Sequence, residues 1–159
     1  MSELIECWLP IVGHEGRYEV SDRGRVRSLD RIDARGCHRT GRVLTPGPDS
    51  MGYQLVNLYR DGRNRSRRIH LLVIETFVGP RPEGRQVRHL DGDPTNNRLE
   101  NLAYGTPSQN ALDRVAHGTD PNARKTECLR GHPYTPESTY TGYGNRRKCR
   151  ICARAGGRG

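Results

Sequence analysis

The stretch that decides the fold is residues 86–117, which read QVRHLDGDPTNNRLENLAYGTPSQNALDRVAH. A short apolar run ends at His89, a polar turn rich in Asp and Asn follows, and a second strand-like run comes next. Thr106 then suits a helix N-cap, the proline after it suits the first helical position, and Gln109 completes a capping box. The stretch therefore predicts a strand, a loop, a second strand and a helix, with Asn110 in the first turn of that helix.

The polar residues of this stretch resemble the motif of the HNH endonucleases of the phage and homing type. The shared pattern is His-x-Asp-Gly-x-x-x-Asn-Asn-x-x-x-Asn-Leu followed by Thr-Pro-Ser-x-Asn. That family folds the segment as two antiparallel strands and a helix around one divalent metal ion. The resemblance implies that His89 is the general base, that Asn101 ties the loop to its flanks and aims the histidine, and that Asn110 is a metal ligand. An amide oxygen suits a hard cation, so the implied ion is Mg²⁺ or Mn²⁺.

One position departs from that family. Relatives commonly carry Asp, Asn or His just before the catalytic histidine, whereas this chain has Arg88, which cannot ligate a metal. Either another carboxylate substitutes, or this chain binds the ion weakly or not at all. The local candidates are Asp91, Asp93 and Asp113, of which Asp113 follows Asn110 by three residues and so shares its helix face. Arg88 is alternatively a contact to the cleaved phosphate.

The composition points to a polyanionic partner. The chain carries a net charge of +9 and has a pI of about 9.8, while only 32% of its residues are hydrophobic. This balance favours small modules that bind nucleic acid, here double-stranded DNA. No apolar stretch is long enough for a transmembrane helix, and the N-terminus lacks signal-peptide features. We therefore expect no membrane partner and a cytoplasmic location, for example in a phage-infected bacterial host.

Residues 8–28 include Tyr18 and Val20 in alternation with polar residues, a turn at Gly24, and then Val26 and Ser28, which together predict a short hairpin. They also resemble a small module that often precedes HNH domains and is thought to help hold DNA. Its apolar side chains are expected to form core. The candidate DNA contacts are the arginines between them, Arg17, Arg23, Arg25 and Arg27.

A second hairpin is predicted where residues 51–59 alternate as a strand and Asp61 and Gly62 form a turn. The returning strand would place its arginines within reach of phosphates or bases. A solvated, charged edge strand would explain the same arginines equally well. Residues 69–77 form a short apolar helix in the family, and His70 within it is expected to be structural. The candidate DNA contacts of this hairpin are Arg63, Arg65, Arg67 and Arg68.

The C-terminal region carries two close pairs of metal-binding side chains. Cys128 and His132 are separated by three residues, sixteen residues follow, and Cys149 and Cys152 are separated by two. This set suits a tetrahedral structural Zn²⁺, which a segment so poor in apolar residues would need in order to fold. Disulfides or unpaired thiols are the alternative. The arginines beside the second pair that are candidates for a DNA grip are Arg146 and Arg147.

Together these features predict an α+β chain that acts as a metal-dependent DNA endonuclease of the HNH type. Its predicted parts are a β-rich N-terminal module at 1–50, an HNH nuclease domain at 51–118 with a ββα-metal core at 86–117, and a linker with a zinc-knuckle-like tail at 119–159. The alternatives are an HNH-fold DNA-binding protein that has lost cleavage, or a zinc-ribbon-like RNA-binding protein. The sequence indicates no oligomeric state.

Overall fold

The structure, a computed structural model, describes residues 5–142 and 146–156. Residues 1–4, which begin the stretch without signal-peptide features, lie outside this part of the chain, as do residues 143–145 and 157–159 of the predicted zinc tail. Within the described residues, no helix is both long and apolar enough to cross a bilayer.

The chain divides into two compact units, Met1–Asp113 and Arg114–Gly159. The first unit begins with an antiparallel sheet in the order β1-β2-β3, and Val20 in its middle strand lies opposite Leu9 on one side and Val26 on the other. The strands are β1 (Trp8–Pro10), β2 (Tyr18–Ser21) and β3 (Val26–Ser28).

An Arg-rich hairpin follows, as the sequence predicts. Its two long strands are antiparallel, with Val56 opposite Arg67 and Leu58 opposite Arg65. The apolar helix begins directly after the second strand and buries five of its nine residues. The elements are β4 (Arg31–Ile32), β5 (His38–Arg39), β6 (Gly47–Pro48), β7 (Gln54–Arg60), β8 (Arg63–Arg68) and α1 (Ile69–Phe77).

The strand–loop–strand–helix arrangement completes the first unit. His89 ends the first of these strands and lies opposite Leu102 in the second. Thr106 and Gln109 form the predicted capping box, with N–H to side-chain distances of 2.8 and 3.2 Å. The elements are β9 (Gln86–His89), a 3-10 turn (Leu99–Asn101), β10 (Leu102–Gly105) and α2 (Pro107–Ala116).

One apolar core joins the N-terminal sheet, the Arg-rich hairpin and the ββα element. Helix α1 lies at its centre because it is apolar on nearly every side, and β2, β7 and β10 pack around it. The core side chains are Ile11, Tyr18, Val20, Val26, Val56, Leu58, Ile69, Leu72, Val73, Ile74 and Leu102. The predicted modules of this unit thus depend on one another for burial, and the predicted boundary at residue 50 stays a prediction.

The second unit is small and carries few apolar residues. A strand pair joins Thr139 to Cys149 in antiparallel register, and a short helix follows at once. Its elements are β11 (Thr139–Thr141), β12 (Arg147–Cys149) and α3 (Arg150–Arg154).

The predicted α+β class is confirmed. Between β5 and β6, Val43 forms a single antiparallel bridge with Arg27. Gly41 allows the chain to approach there, since a Cβ at this position would lie 2.5 Å from the carbonyl oxygen of Ser28.

Candidate functional site

His89 is held by the amide of Asn97. Nε2 of His89 lies 3.3 Å from Oδ1 of Asn97. The amide nitrogen of Asn97 donates to the carbonyl oxygen of Thr95 at 3.1 Å and to the side chain of Gln54 at 2.9 Å. The carbonyl oxygen of Thr95 can only accept a hydrogen bond, so the amide nitrogen of Asn97 must face it. The amide oxygen of Asn97 then faces the histidine. Neutral His89 therefore carries its proton on Nε2, and Nδ1 keeps the lone pair that can accept a proton.

Two further rings surround His89. The ring of His70 meets it edge-on at a centroid distance of 5.0 Å, and Tyr53 lies 4.8 Å from His70 and 5.8 Å from His89. Burial, followed by the charge that His89 can carry, lowers the pKa of His70 to about 4. Burial also lowers the pKa of His89, while the bond to Asn97 opposes that shift. Both imidazoles are therefore neutral near neutral pH.

Asn101 ties the loop after His89 together. Its amide oxygen accepts from the N–H of Asp91 at 3.0 Å, and its amide nitrogen donates to Asp91 Oδ1 and to the carbonyl oxygen of Asn96, both at 2.9 Å. The other oxygen of Asp91 accepts from the amide of Asn96 at 2.6 Å. Asp93 accepts from the N–H and hydroxyl of Thr95. Asp91 and Asp93 therefore brace the turn.

The turn of the N-terminal sheet lies against this loop. Gly24 has a φ of +78°, and a Cβ there would lie 2.8 Å from both Cβ and the carbonyl oxygen of Asn97. The N–H of Leu99 also donates to the carbonyl oxygen of Asp22 at 2.8 Å. The N-terminal module thus supports the residue that holds His89. Sequence reasoning did not single out Asn97, and the signal that could have found it is its place as the second Asn of the pair at 96–97.

Arg88 forms a two-pronged ion pair with Asp113. Its Nε and one terminal nitrogen donate to the two carboxylate oxygens at 2.6 and 2.8 Å. The stem of Arg88 runs along Gly105, where a Cβ would lie 2.1 Å from its Cδ. Both partners are largely shielded, with side-chain exposures of 19% and 24%. Asn110, on the same helix as Asp113, donates its amide nitrogen to Gln86 at 2.7 Å, a bond that does not use its amide oxygen.

The side chains of Asn110 and Asp113 decide how well the site suits a divalent ion. The amide oxygen of Asn110 and the carboxylate of Asp113 are both hard ligands, and they lie three residues apart on α2. They fit Mg²⁺ or Mn²⁺ in type, but an ion must compete with Arg88 for Asp113. In the described part of the chain, no group of three or more His, Cys, Asp or Glu side chains close enough to hold one ion includes Asp91, Asp93 or Asp113.

A second candidate metal centre lies in the second unit. The ligand atoms of Cys128, His132, Cys149 and Cys152 all lie within 4.8 Å of one another. Sγ of Cys128 is 3.7 Å from Sγ of Cys152, and Nδ1 of His132 is 3.2 Å from the latter. Two sulfurs bound to one tetrahedral zinc at about 2.3 Å lie roughly 3.8 Å apart, so the spacing fits.

The backbone prepares Cys128 as a thiolate. Its N–H donates to the carbonyl oxygen of His132 at 2.9 Å, and Gly131 closes the turn with a φ of +78°. Burial raises the pKa of the Cys128 thiol, but hydrogen bonds from the backbone N–H groups of Arg130 and His132 and from the side chains of Cys152 and His132 together lower that pKa to about 6. A thiolate is the form that binds metal.

The predicted DNA-contact arginines differ in their surroundings. Arg63 and Arg65 are exposed and line, with Arg60 and His14, a cleft of about 460 Å³. Several others bind carboxylates, with the pairs Arg25–Glu6, Arg27–Glu19, Arg67–Glu75 and Arg68–Asp49. Arg146 is exposed. Arg147 donates to the carbonyl oxygens of Asn122 and Lys125 and lies 4.2 Å above the ring of Tyr134.

Comparison with known proteins matches two families to the first unit. The HNH endonuclease family matches residues 67–112, and the NUMOD4 motif matches residues 6–59. The first match contains His89, Asn101 and Asn110.

Individual relatives agree with these matches. The DNA endonuclease I-HmuI of Bacillus phage SP01 is 32% identical over 99 residues, which cover 62% of this chain and 52% of the relative. An uncharacterised HNH endonuclease of Acanthamoeba polyphaga mimivirus is 35% identical over 111 residues, 67% of this chain and 25% of the relative. The chain thus spans about half of the phage relative and a quarter of the mimivirus one.

A solved structure agrees as well. It comes from work on DNA binding and cleavage by the HNH homing endonuclease I-HmuI, and it shares 31% identity with this chain. The alignment has a TM-score of 0.59 and covers 72% of this chain and 60% of that one. The chain therefore carries a NUMOD4 motif followed by an HNH endonuclease domain, and it is homologous to the phage homing endonuclease I-HmuI.

Proposed function

We propose that the protein is a DNA endonuclease that hydrolyses phosphodiester bonds in duplex DNA, with His89 as the general base. The observation that carries the proposal is the bond from His89 to Asn97, which leaves Nδ1 as the proton acceptor. Nδ1 takes a proton from water as the water oxygen bonds to phosphorus, and the 3′ oxygen leaves with the electron pair of its bond to phosphorus and takes a proton from solvent. The low pKa of His89 keeps the accepting form populated at neutral pH.

The protein's own groups serve the proposed reaction in separate ways. Asn97 holds the tautomer and orientation of His89, and Asn101 holds the loop. Asn110 and Asp113 would hold a Mg²⁺ or Mn²⁺ ion, which when bound supplies Lewis-acid stabilisation to the phosphate. The proposed cleavage therefore depends on a metal ion, which two residues of one helix would hold.

Duplex DNA is the proposed partner. The net charge of +9 supports this, as do the exposed arginines of β8. The names of the phage relative and of the solved structure concern DNA, which supports the same partner for this chain. The proposed contacts are Arg25, Arg27, Arg63, Arg65, Arg67, Arg68, Arg88, Arg146 and Arg147.

We also propose that Cys128, His132, Cys149 and Cys152 bind a structural Zn²⁺. The mutual distances of their ligand atoms support a closed tetrahedral site. None of the five cysteines is paired in a disulfide, which suits the reducing cytoplasm that we propose as the location.

A second candidate function is DNA binding without cleavage. The observation that favours it is the ion pair of Arg88 and Asp113, which occupies the one carboxylate on the metal-binding face of α2 within the described residues. In this alternative the HNH element holds DNA through Arg88, and His89 has no chemical role.

Plasmid nicking separates the two functions. The full chain is incubated with supercoiled plasmid, with and without Mg²⁺ or Mn²⁺, beside His89→Ala and the control His38→Ala in an exposed strand. Metal-dependent nicking that His89→Ala abolishes and His38→Ala keeps supports the enzyme. If wild type and His89→Ala both bind DNA and neither nicks it, the result supports the alternative. Equal nicking by wild type and His89→Ala rejects His89 as the base.

A binding titration tests the partner. Duplex DNA and RNA of equal length are compared at one salt concentration, because salt alone changes affinity by orders of magnitude. Tighter binding of duplex DNA supports the proposal. Preference for RNA would favour a zinc-ribbon-like RNA-binding protein instead.

A further inference from the structure

The ion pair between Arg88 and Asp113 lies where the proposed function needs a free carboxylate. Both oxygens of Asp113 accept from the guanidinium, at 2.6 and 2.8 Å. Such a paired, parallel arrangement is among the stronger ion pairs that proteins form, and partial burial of both side chains reduces its screening. In the DNA-free protein an incoming cation must therefore displace a cation that is already bound.

The position of Arg88 also suits it to bind phosphate. It is the residue before His89 in β9, and a guanidinium binds a phosphate with the same two-pronged geometry that it uses for a carboxylate. Its stem lies against Gly105, where the absence of a Cβ leaves space for Cγ and Cδ of the arginine.

We propose that Arg88 exchanges Asp113 for a DNA phosphate, and that this exchange opens the divalent-ion site. The ion then binds together with DNA, and the DNA-free protein binds it weakly. This inference rests on the proposed function, because it concerns the ion and phosphate of that same site. It assigns Arg88 the role of a positioning residue for the ion as well as a phosphate contact.

Charge balance gives the reason for the coupling. Without DNA, Arg88 and Asp113 neutralise each other, and an added divalent ion finds no net negative charge. When Arg88 binds a phosphate, one guanidinium serves two anions, and the resulting negative charge would favour a divalent ion held by Asn110 and Asp113. By linkage, the ion must raise the affinity for DNA by the same factor by which DNA raises the affinity for the ion.

Mn²⁺ binding to the full, zinc-loaded chain tests this without relying on cleavage. Free Mn²⁺ is measured by electron paramagnetic resonance as protein is added, first without DNA. We expect weak binding by wild type and binding on the order of tenfold tighter by Arg88→Gln, because the guanidinium then no longer competes with the ion for Asp113. The double variant with Arg88→Gln and Asp113→Asn should lose this gain in Mn²⁺ affinity. Arg85→Gln, an exposed arginine on the same segment, controls for loss of one positive charge.

A second variant guards against misfolding of the first. Arg88→Met keeps an unbranched stem beside Gly105 and should show the same gain as Arg88→Gln. Unchanged Mn²⁺ affinity in both folded variants, or an equal gain in Arg85→Gln, would overturn the proposal.

The DNA-bound arm uses His89→Ala, in which the proposed cleavage is blocked. Duplex DNA should tighten Mn²⁺ binding to His89→Ala on the order of tenfold, and clearly less when Arg88→Gln is added. No tightening by DNA overturns the exchange even if wild type cleaves DNA. Tightening without any cleavage by wild type instead supports the exchange and rejects the proposed enzyme.

Discussion

Nε2 of His89 lies 3.3 Å from the amide oxygen of Asn97, and Asn97 is 3% exposed. The amide cannot reverse without losing its bond to the carbonyl oxygen of Thr95. A buried and oriented acceptor of this kind selects one tautomer of the histidine, as outer-shell partners do for metal-bound histidines.

Replacing Asn97 should therefore impair catalysis more than DNA binding. We expect Asn97→Ala to lower kcat by about 10- to 100-fold, the usual effect of losing an orienting partner, with the Kd for DNA little changed. Single-turnover cleavage and a filter-binding titration measure the two quantities. Asn64→Ala, an exposed residue of β8, is the control, and an equal loss in both variants would reject the positioning role.

The pH dependence of cleavage should reflect a base with a lowered pKa. Burial lowers the pKa of His89, so its neutral form persists below the ordinary value of 6.5. We expect kcat to be constant above about pH 6.5 and to fall only as the pH drops through the lower folded pKa. A pH profile of single-turnover rates measures this, and an acid limb centred above the ordinary histidine value would contradict it.

His70 should make the first unit sensitive to acid. Its folded pKa is about 4 and its unfolded value is near 6.5, so the unfolded chain binds the extra proton between these values. Stability is then fully present above the unfolded pKa and is lost as the pH falls, by about 2 kcal/mol between about pH 7 and pH 5. Urea unfolding of wild type and His70→Gln at both pH values measures the difference, and the exposed His38→Gln should keep the wild-type slope.

Gly24 and Gly36 provide a matched pair for the contact with Asn97. Both have a positive φ, but a Cβ at Gly24 would lie 2.8 Å from Asn97, whereas a Cβ at Gly36 has nothing within 4 Å. We expect both alanine variants to pay the backbone strain, about 1 kcal/mol or more, and Gly24→Ala to lose additional stability and cleavage because its Cβ displaces Asn97. Urea unfolding and plasmid nicking measure these losses. Equal losses would show that the contact does not matter.

Removing zinc should unfold the second unit and leave the first intact. We expect one zinc per chain in wild type and in Cys37→Ser, whose thiol is exposed, and none in Cys149→Ser. Metal analysis of the purified protein gives the stoichiometry, and amide resonances of residues in each unit report folding. Retention of folded signals from the second unit after chelation would contradict a structural zinc.

The exposed arginines of β8 should contribute through phosphate contacts. Removing Arg65 should weaken DNA binding about equally for all sequences and reduce the slope of log K against log salt by about 0.9. Arg39→Ala, an exposed arginine paired with Asp33, should change the slope less. Titrations at several salt concentrations measure the slopes, and equal slopes for Arg65→Ala and wild type would remove this strand from the DNA interface.

Local sequence was enough for the elements of the nuclease core. The capping box at Thr106 and Gln109 and the order strand, loop, strand, helix are set by residues within a few positions of one another, so periodicity and turn chemistry predict them. The spacing of Cys128, His132, Cys149 and Cys152 likewise predicts their grouping, because two close pairs supply the four ligands of a tetrahedral metal site.

Only the tertiary structure decided which partners these residues have. Arg88 and Asp113 are 25 positions apart, and Gly24 approaches Asn97 from a separate sheet, so no local pattern encodes either contact. The sequence by itself determined that His89, Asn101 and Asn110 belong to an HNH element with an arginine in an unusual place. The packing of β9, β10 and α2 decided that this arginine binds Asp113, because the pairing depends on side-chain direction across strand and helix rather than on residue order.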